Sequence, residues 1–203
     1  MKYIFVLVAC GCLSQIATSQ RAGWGITGDL DLYSRYVNPP DGIASRGAGS
    51  AILNPGISVK GWLGNADVTI SPEAGFVLSP FALSIGDFKG LGAVAFPLLV
   101  KLEFLGNSNL NREGRVGFGL GGGVQYNRTE LFFLTDVDDQ NIDREYFRTY
   151  VAEADFGFGL NGFDVHTHVR FGWNAEIEAN SLNVGIGVDL NLSLLRETTD
   201  PEF

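Results

Sequence analysis

From about residue 21 onward, apolar and polar residues alternate with period two, and no stretch carries an apolar stripe of about 3.6 residues. Between Arg115 and Asn127, Val116, Phe118, Leu120, Val124 and Tyr126 share one face, and Arg115, Gly117, Gly119, Gly121, Gly123, Gln125 and Asn127 share the other. From Phe163 to Ala175, an apolar row of Phe163, Val165, Thr167, Val169, Phe171 and Trp173 opposes Asp164, His166, His168, Arg170, Gly172 and Asn174. Between Leu182 and Leu194 every even position is Leu, Val or Ile. The pattern predicts strands at about 24–35, 51–63, 66–78, 93–105, 114–127, 147–160, 163–175 and 181–195. Each has roughly the 9–11 residues that cross a bilayer at a tilt, or a little more. Short turns alternate with longer connections at 36–50, 79–92 and 128–146, and 106–113 is a modest polar turn. The expectation is an all-β, eight-stranded antiparallel up-and-down transmembrane β-barrel.

A soluble barrel or sandwich alternates in the same way, with its apolar face turned inward. Two features favour the membrane arrangement. The polar faces of 114–127 and 181–195 are mostly Gly, Asn and Ser, which suits a narrow lumen better than a solvated surface. Phe147, Phe163, Trp173 and Tyr126 lie near strand ends, where aromatic girdles sit.

Two dipeptides signal hairpins, Gly64-Asn65 and Asn161-Gly162. The second places Leu160 opposite Phe163, hence Asp155 opposite His168 and Glu153 opposite Arg170. The first places Leu63 opposite Ala66, Val59 opposite Ile70 and Leu53 opposite Phe76 on the lipid face, with Lys60 opposite Thr69 and Gly56 opposite Glu73 inside. The expected polar lumen network is Lys60, Glu73, Lys101, Glu103, Arg115, Glu153, Asp155, His166, His168, Arg170 and Asp189, with Asp29 and Asp31 beside it. Opposite charges confined in a narrow bore should pair and plug it.

Composition adds the compartment. Lys2, the apolar run Tyr3–Leu13 and the small residues Ala17-Thr18-Ser19 form an export signal over residues 1–19, leaving a barrel domain over 20–203. Cleavage removes one Lys, taking the formal charge from −9 to −10. A competing lipoprotein box stands at Leu7-Val8-Ala9-Cys10. Both cysteines, Cys10 and Cys12, lie inside the signal, so the mature chain has no disulfide or thiolate site. With 14 Lys+Arg against 23 Asp+Glu, nucleic-acid binding is not expected.

Three segments resemble a known family. Asn54-Pro55-Gly56-Ile57-Ser58-Val59-Lys60-Gly61, Thr69-Ile70-Ser71-Pro72-Glu73 and Phe96-Pro97-Leu98-Leu99-Val100-Lys101 are similar to the second, third and most recognisable stretches of the PorT-like outer-membrane β-barrel proteins of Bacteroidetes. The resemblance implies an eight-stranded outer-membrane barrel from a Gram-negative source. Some members of that family serve secretion and gliding. Their long extracellular insertions are mostly missing here, so no secretion role is carried over.

Candidate chemistry is sparse. His166 and His168 stand two apart on one face, a spacing able to present two imidazoles to a metal, but pairing with the facing carboxylates is the structural alternative and is preferred. The hairpin places no serine beside them, so no hydrolase arrangement is expected. The acidic segment 136–147 lacks the Gly and Glu of a calcium loop, with Asn141 and Phe147 in their places. Gly119 to Gly123 precede no helix and so form no phosphate loop. Asn127-Arg128-Thr129 fits a glycosylation sequon, which means little in a bacterial protein. The terminal Asp200-Pro201-Glu202-Phe203 reads as a tail. No catalytic residue, metal or cofactor is therefore expected. The function expected is a structural or interaction role in the outer membrane, with lipid as a partner and loops 36–50 and 128–146 facing outward. A small-ligand binder or minor pore, and a soluble exported β-barrel, remain the alternatives.

Overall fold

The computed structural model describes residues 21–40, 46–85, 90–110, 113–133 and 144–194. The expected export signal and its cleavage site, most of the acidic loop and the C-terminal tail lie outside these residues. Among the described residues nine strands follow in chain order: β1 (Arg21–Val37), β2 (Gly47–Ser50), β3 (Asn54–Gly64), β4 (Val68–Ser84), β5 (Gly90–Leu105), β6 (Arg115–Phe133), β7 (Phe147–Leu160), β8 (Phe163–Asn174) and β9 (Ala179–Asn191). Eight are the expected staves, each paired antiparallel to its neighbour in sequence, and β1 closes the ring against β9 from Gly25 to Val37. The ninth, β2, is a short strand within the 36–50 connection that bridges the ends of β1 and β4.

Closure leaves no free edge among the long staves, which satisfies the backbone by pairing alone. The side chains sort by parity. Along β8, Phe163, Val165, Thr167, Val169, Phe171 and Trp173 are exposed, and Asp164, His166, His168, Arg170, Gly172 and Asn174 are buried. The face expected to point outward therefore does so. A bulge between Asp31 and Tyr33 reverses parity on β1, so that Tyr33 points out while Ser34 and Tyr36 point in.

The β7–β8 hairpin has the register read from sequence: Leu160 faces Phe163, Asp155 faces His168 and Glu153 faces Arg170. Asn161 and Gly162 both adopt positive φ, 53° and 80°, which a tight hairpin of this kind needs. The β3–β4 register differs from expectation. The turn is wider than Gly64-Asn65, because the Asn65 carboxamide accepts the N–H groups of Asp67 (2.9 Å) and Val68 (2.8 Å). Partners move four positions, so Leu63 faces Ile70, Lys60 faces Glu73, Val59 faces Ala74, Ile57 faces Phe76 and Gly56 faces Val77. Four is even, so each residue keeps its face, and Val59 still points outward.

The other differences lie at the end away from the two hairpins. β4 and β6 run on to Ser84 and Phe133, so the 79–92 and 128–146 connections are shorter than expected. Phe147 is not part of an outer girdle. It points inward and packs with Tyr36, Ala48, Val77, Ala82, Ala93, Ala95 and Ala179 in an apolar cluster at this end of the bore.

Candidate functional site

The interior of the barrel is its chemically dense part. Two ion clusters fill its middle. Lys60 Nζ contacts Glu103 and lies 2.6 Å from Asp189, while Thr27 and Ser71 donate to these same two carboxylates, each at 2.5 Å. Lys101 Nζ contacts Glu153, with Glu73 at 2.9 Å and Asp155 at 3.3 Å. The Arg170 guanidinium donates to the second oxygen of Glu153, and Ser58 donates to Glu73 (3.0 Å). All these ions are almost fully buried. Charges so removed from water are tolerated when each has an opposite charge beside it, as these have.

Glycines make the room. A Cβ on Gly121 would lie 2.6 Å from Lys101 Cγ, and one on Gly119 would lie 2.8 Å from Asp155 Oδ2. Long charged side chains thus lie over glycines of the neighbouring strand, which accounts for small residues on the inner faces of β6 and β9.

The histidines make a second motif. Gly185 of β9 is flanked by His168 on β8 and Asp31 on β1, and across this gap His168 Nε2–H donates to Asp31 Oδ1 at 2.8 Å. Asn183 donates to the other oxygen of Asp31 (2.7 Å). Two residues along, Gly187 is flanked by His166 and Asp29. His166 Nδ1–H donates to Asp164 Oδ1 at 2.7 Å.

At each end of the bore, described residues fold inward. At the turn end, the single 3₁₀ turn Gly106–Ser108 and the residues after it fold inward, burying Asn107, Ser108, Asn109 and Leu110. Ser108 Oγ donates to the Ala66 and Leu105 carbonyls (both 2.7 Å), and Asn191 Nδ2 donates to the Asn109 carbonyl (2.9 Å). Trp62 is buried just beyond Lys60, whose ammonium lies 5.5 Å from its ring centroid. At the other end stand β2 and the apolar cluster around Phe147, with Glu130 held by Ser84 (2.6 Å) and Arg144 (2.5 Å).

Of the lumen residues expected from sequence, Lys60, Glu73, Lys101, Glu103, Glu153, Asp155, His166, His168, Arg170 and Asp189 are all buried inside. Arg115 is not in the lumen. It stands at the turn-end rim, 40% exposed, paired with Asp67 and Glu113 (both 3.0 Å), because the inward 106–110 segment occupies the bore at its level. Asp155 faces His168 in register, yet its carboxylate goes to Lys101 and the imidazole to Asp31. Periodicity alone gives the inward segment only as a modest polar turn. Its signal was the asparagine-rich run 107–111, since Asn tolerates the left-handed conformation found at Asn109 (φ 51°).

An antiparallel sheet of eight long staves closed on itself, apolar outside and charged within, defines the chain as an eight-stranded β-barrel. Comparison with solved structures places it near Neisserial surface protein A, with a TM-score of 0.51 and 10% identity over 86% of this chain and 99% of that one. The attachment invasion locus protein Ail of Yersinia pestis, solved with the heparin analogue sucrose octasulfate, gives 0.45 and 13% identity over 83% and 98%. At these identities the likeness concerns the fold alone. No protein-family model and no curated protein matches the sequence.

Proposed function

We propose that the chain is a non-enzymatic integral β-barrel of the bacterial outer membrane, plugged along its bore, which acts as a structural or interaction protein through the loops at its Phe147 end. The observation that carries this reading is the inverted partition of side chains. Ile57, Val59, Val100, Leu120, Phe156 and Phe171 are all at least half exposed on the outer wall, while Lys60, Lys101 and Arg170 are buried inside. A water-soluble barrel of this size would do the reverse, and an apolar belt around every stave far exceeds the few hundred Å² of contiguous apolar patch that soluble monomers usually show. Outer-wall aromatics near the stave ends fit interfacial girdles: Trp24 and Phe163 at the turn end, Tyr126, Tyr150 and Trp173 at the other. Arg148 reaches along the wall to Tyr150, donating to its hydroxyl at 2.9 Å with the guanidinium over the ring.

The three segments that resemble PorT-like proteins fall on adjoining staves, β3, β4 and β5. This contiguity supports that affiliation and a Gram-negative source. A non-enzymatic role is supported by the histidines, each of which gives one ring nitrogen to a carboxylate inside the bore.

Planar-bilayer recording of the refolded protein tests the plugged reading. The expected result is an intact bilayer with no unitary conductance. Stable, large single-channel steps from the purified wild-type barrel would contradict it and put the pore alternative first. Conductance gained only in Arg170→Ala would identify the Arg170–Glu153 pair as part of the plug.

A further inference from the structure

We infer that the lumen contains a binding site for one divalent transition metal of the zinc class, formed by His166, His168 and Asp29. One ring nitrogen from each histidine and one carboxylate oxygen of Asp29 lie within 4.8 Å of one another. A tetrahedral zinc with bonds of about 2.0–2.1 Å needs closer donors than that, so small side-chain rotations must draw them in.

Three features make this more than a chance grouping. The first is the comparison of the two glycine gaps on β9. Across Gly185, His168 and Asp31 meet directly in a hydrogen bond of 2.8 Å. Across Gly187, the corresponding pair, His166 and Asp29, makes no such bond. Both line the inner side of Gly187, where an added Cβ would lie 2.3 Å from His166 Nε2 and 2.9 Å from Asp29 Oδ1. His166 is only 3% exposed, and among the described residues its Nε2 takes no hydrogen bond. An imidazole nitrogen with no protein partner is open to a metal.

The second is the outer support of the ligands. His166 gives its Nδ1–H to Asp164, which fixes the tautomer, leaves the lone pair on Nε2 and raises its basicity. Asp31, itself held by Asn183 and Ser34, anchors the His168 ring. Carboxylates behind histidines are the usual second layer of a zinc site.

The third is space and charge. On β1 and β3 the inward residues Thr27, Asp31, Asn54 and Ser58 are buried, whereas Asp29 and the adjoining Gly56 keep partial exposure, so open lumen space lies against this carboxylate. Asp29, Asp31, Glu73, Glu103, Glu153, Asp155, Asp164 and Asp189 line a bore whose fixed cations at this depth are Lys60, Lys101 and Arg170. A divalent cation offsets part of that negative excess. Asp164 and Asp189 also flank His166, but Asp189 is already held by Lys60 and Thr27, which leaves Asp29 as the available oxygen. Mixed imidazole and carboxylate donors favour zinc and its neighbours over calcium or magnesium.

The test uses refolded wild-type barrel in detergent, titrated with Co²⁺ as a spectroscopic stand-in for Zn²⁺. One equivalent should produce visible d–d absorption of a low-symmetry site, and Zn²⁺ should abolish it. Asp29→Asn and His166→Gln, checked for folding by circular dichroism, should weaken binding at least tenfold, while Glu176→Gln, exposed in the turn between β8 and β9, should not. X-ray absorption of the zinc-loaded wild-type protein should show histidine-ring scattering, a readout that needs no variant. Absence of binding, zinc without histidine scattering, or binding lost in Asp189→Asn yet retained in folded Asp29→Asn would each overturn the assignment.

Discussion

Replacing Lys101 by Met should destabilise the barrel by about 3–5 kcal/mol, the range seen when one partner of a buried ion pair is removed. Lys101 is 2% exposed, and its single ammonium serves Glu73, Glu153 and Asp155. Met fills nearly the same volume over Gly121, so the effect should come from stranded carboxylates and not from a cavity. Arg170 still meets Glu153, but nothing else among the described cations reaches Glu73 or Asp155. Denaturant unfolding in micelles, followed by tryptophan fluorescence, measures the change. A loss under about 1 kcal/mol, the size of an exposed pair, would mean that water or protons reach these acids freely.

Val169→Arg should also be severe, for a different reason. Val169 lies near the middle of β8 on the outer wall, 48% exposed. An arginine at the bilayer midplane of such a barrel costs about 2–4 kcal/mol, and one near the interface about 0–1 kcal/mol. Leu160→Arg, beside the tight turn, is therefore expected to be mild. Refolding stability in lipid vesicles reads both. Equal tolerance at the two positions would mean that the outer wall does not meet lipid along its depth.

Strand positions and the facing of side chains were legible in the sequence because a β-strand has a side-chain period of two and a barrel gives its two faces opposite environments. The β7–β8 register was legible because Asn161-Gly162 is a turn chemistry that allows few lengths. The β3–β4 register was not, because Gly64-Asn65 carries the same letters while the Asn65 side chain builds a wider turn. Parity alone already set Phe147 on the face of Glu153 and Asp155, against its reading as a girdle residue. Contacts between non-adjacent strands were hidden. Nothing in the local sequence of His168 points to Asp31, more than a hundred residues away, and the pair meets only because the intervening β9 residue is Gly185. The inward fold of residues 106–110 was likewise invisible to periodicity, since it is one turn long and carries no repeat.

Cysteine labelling on intact Gram-negative cells tests the central claim most directly, because Cys10 and Cys12 both precede the barrel and no cysteine lies within it. Tyr146→Cys adds a thiol at an exposed position just before β7, at the loop end, and Asp67→Cys adds one in the exposed β3–β4 turn. An outer-membrane barrel with its loops outward should take up a membrane-impermeant maleimide at 146 on whole cells, and at 67 only after the outer membrane is permeabilised. Labelling of neither site until permeabilisation, with the protein released in the soluble fraction, would contradict the membrane assignment, and labelling at 67 alone would reverse the topology.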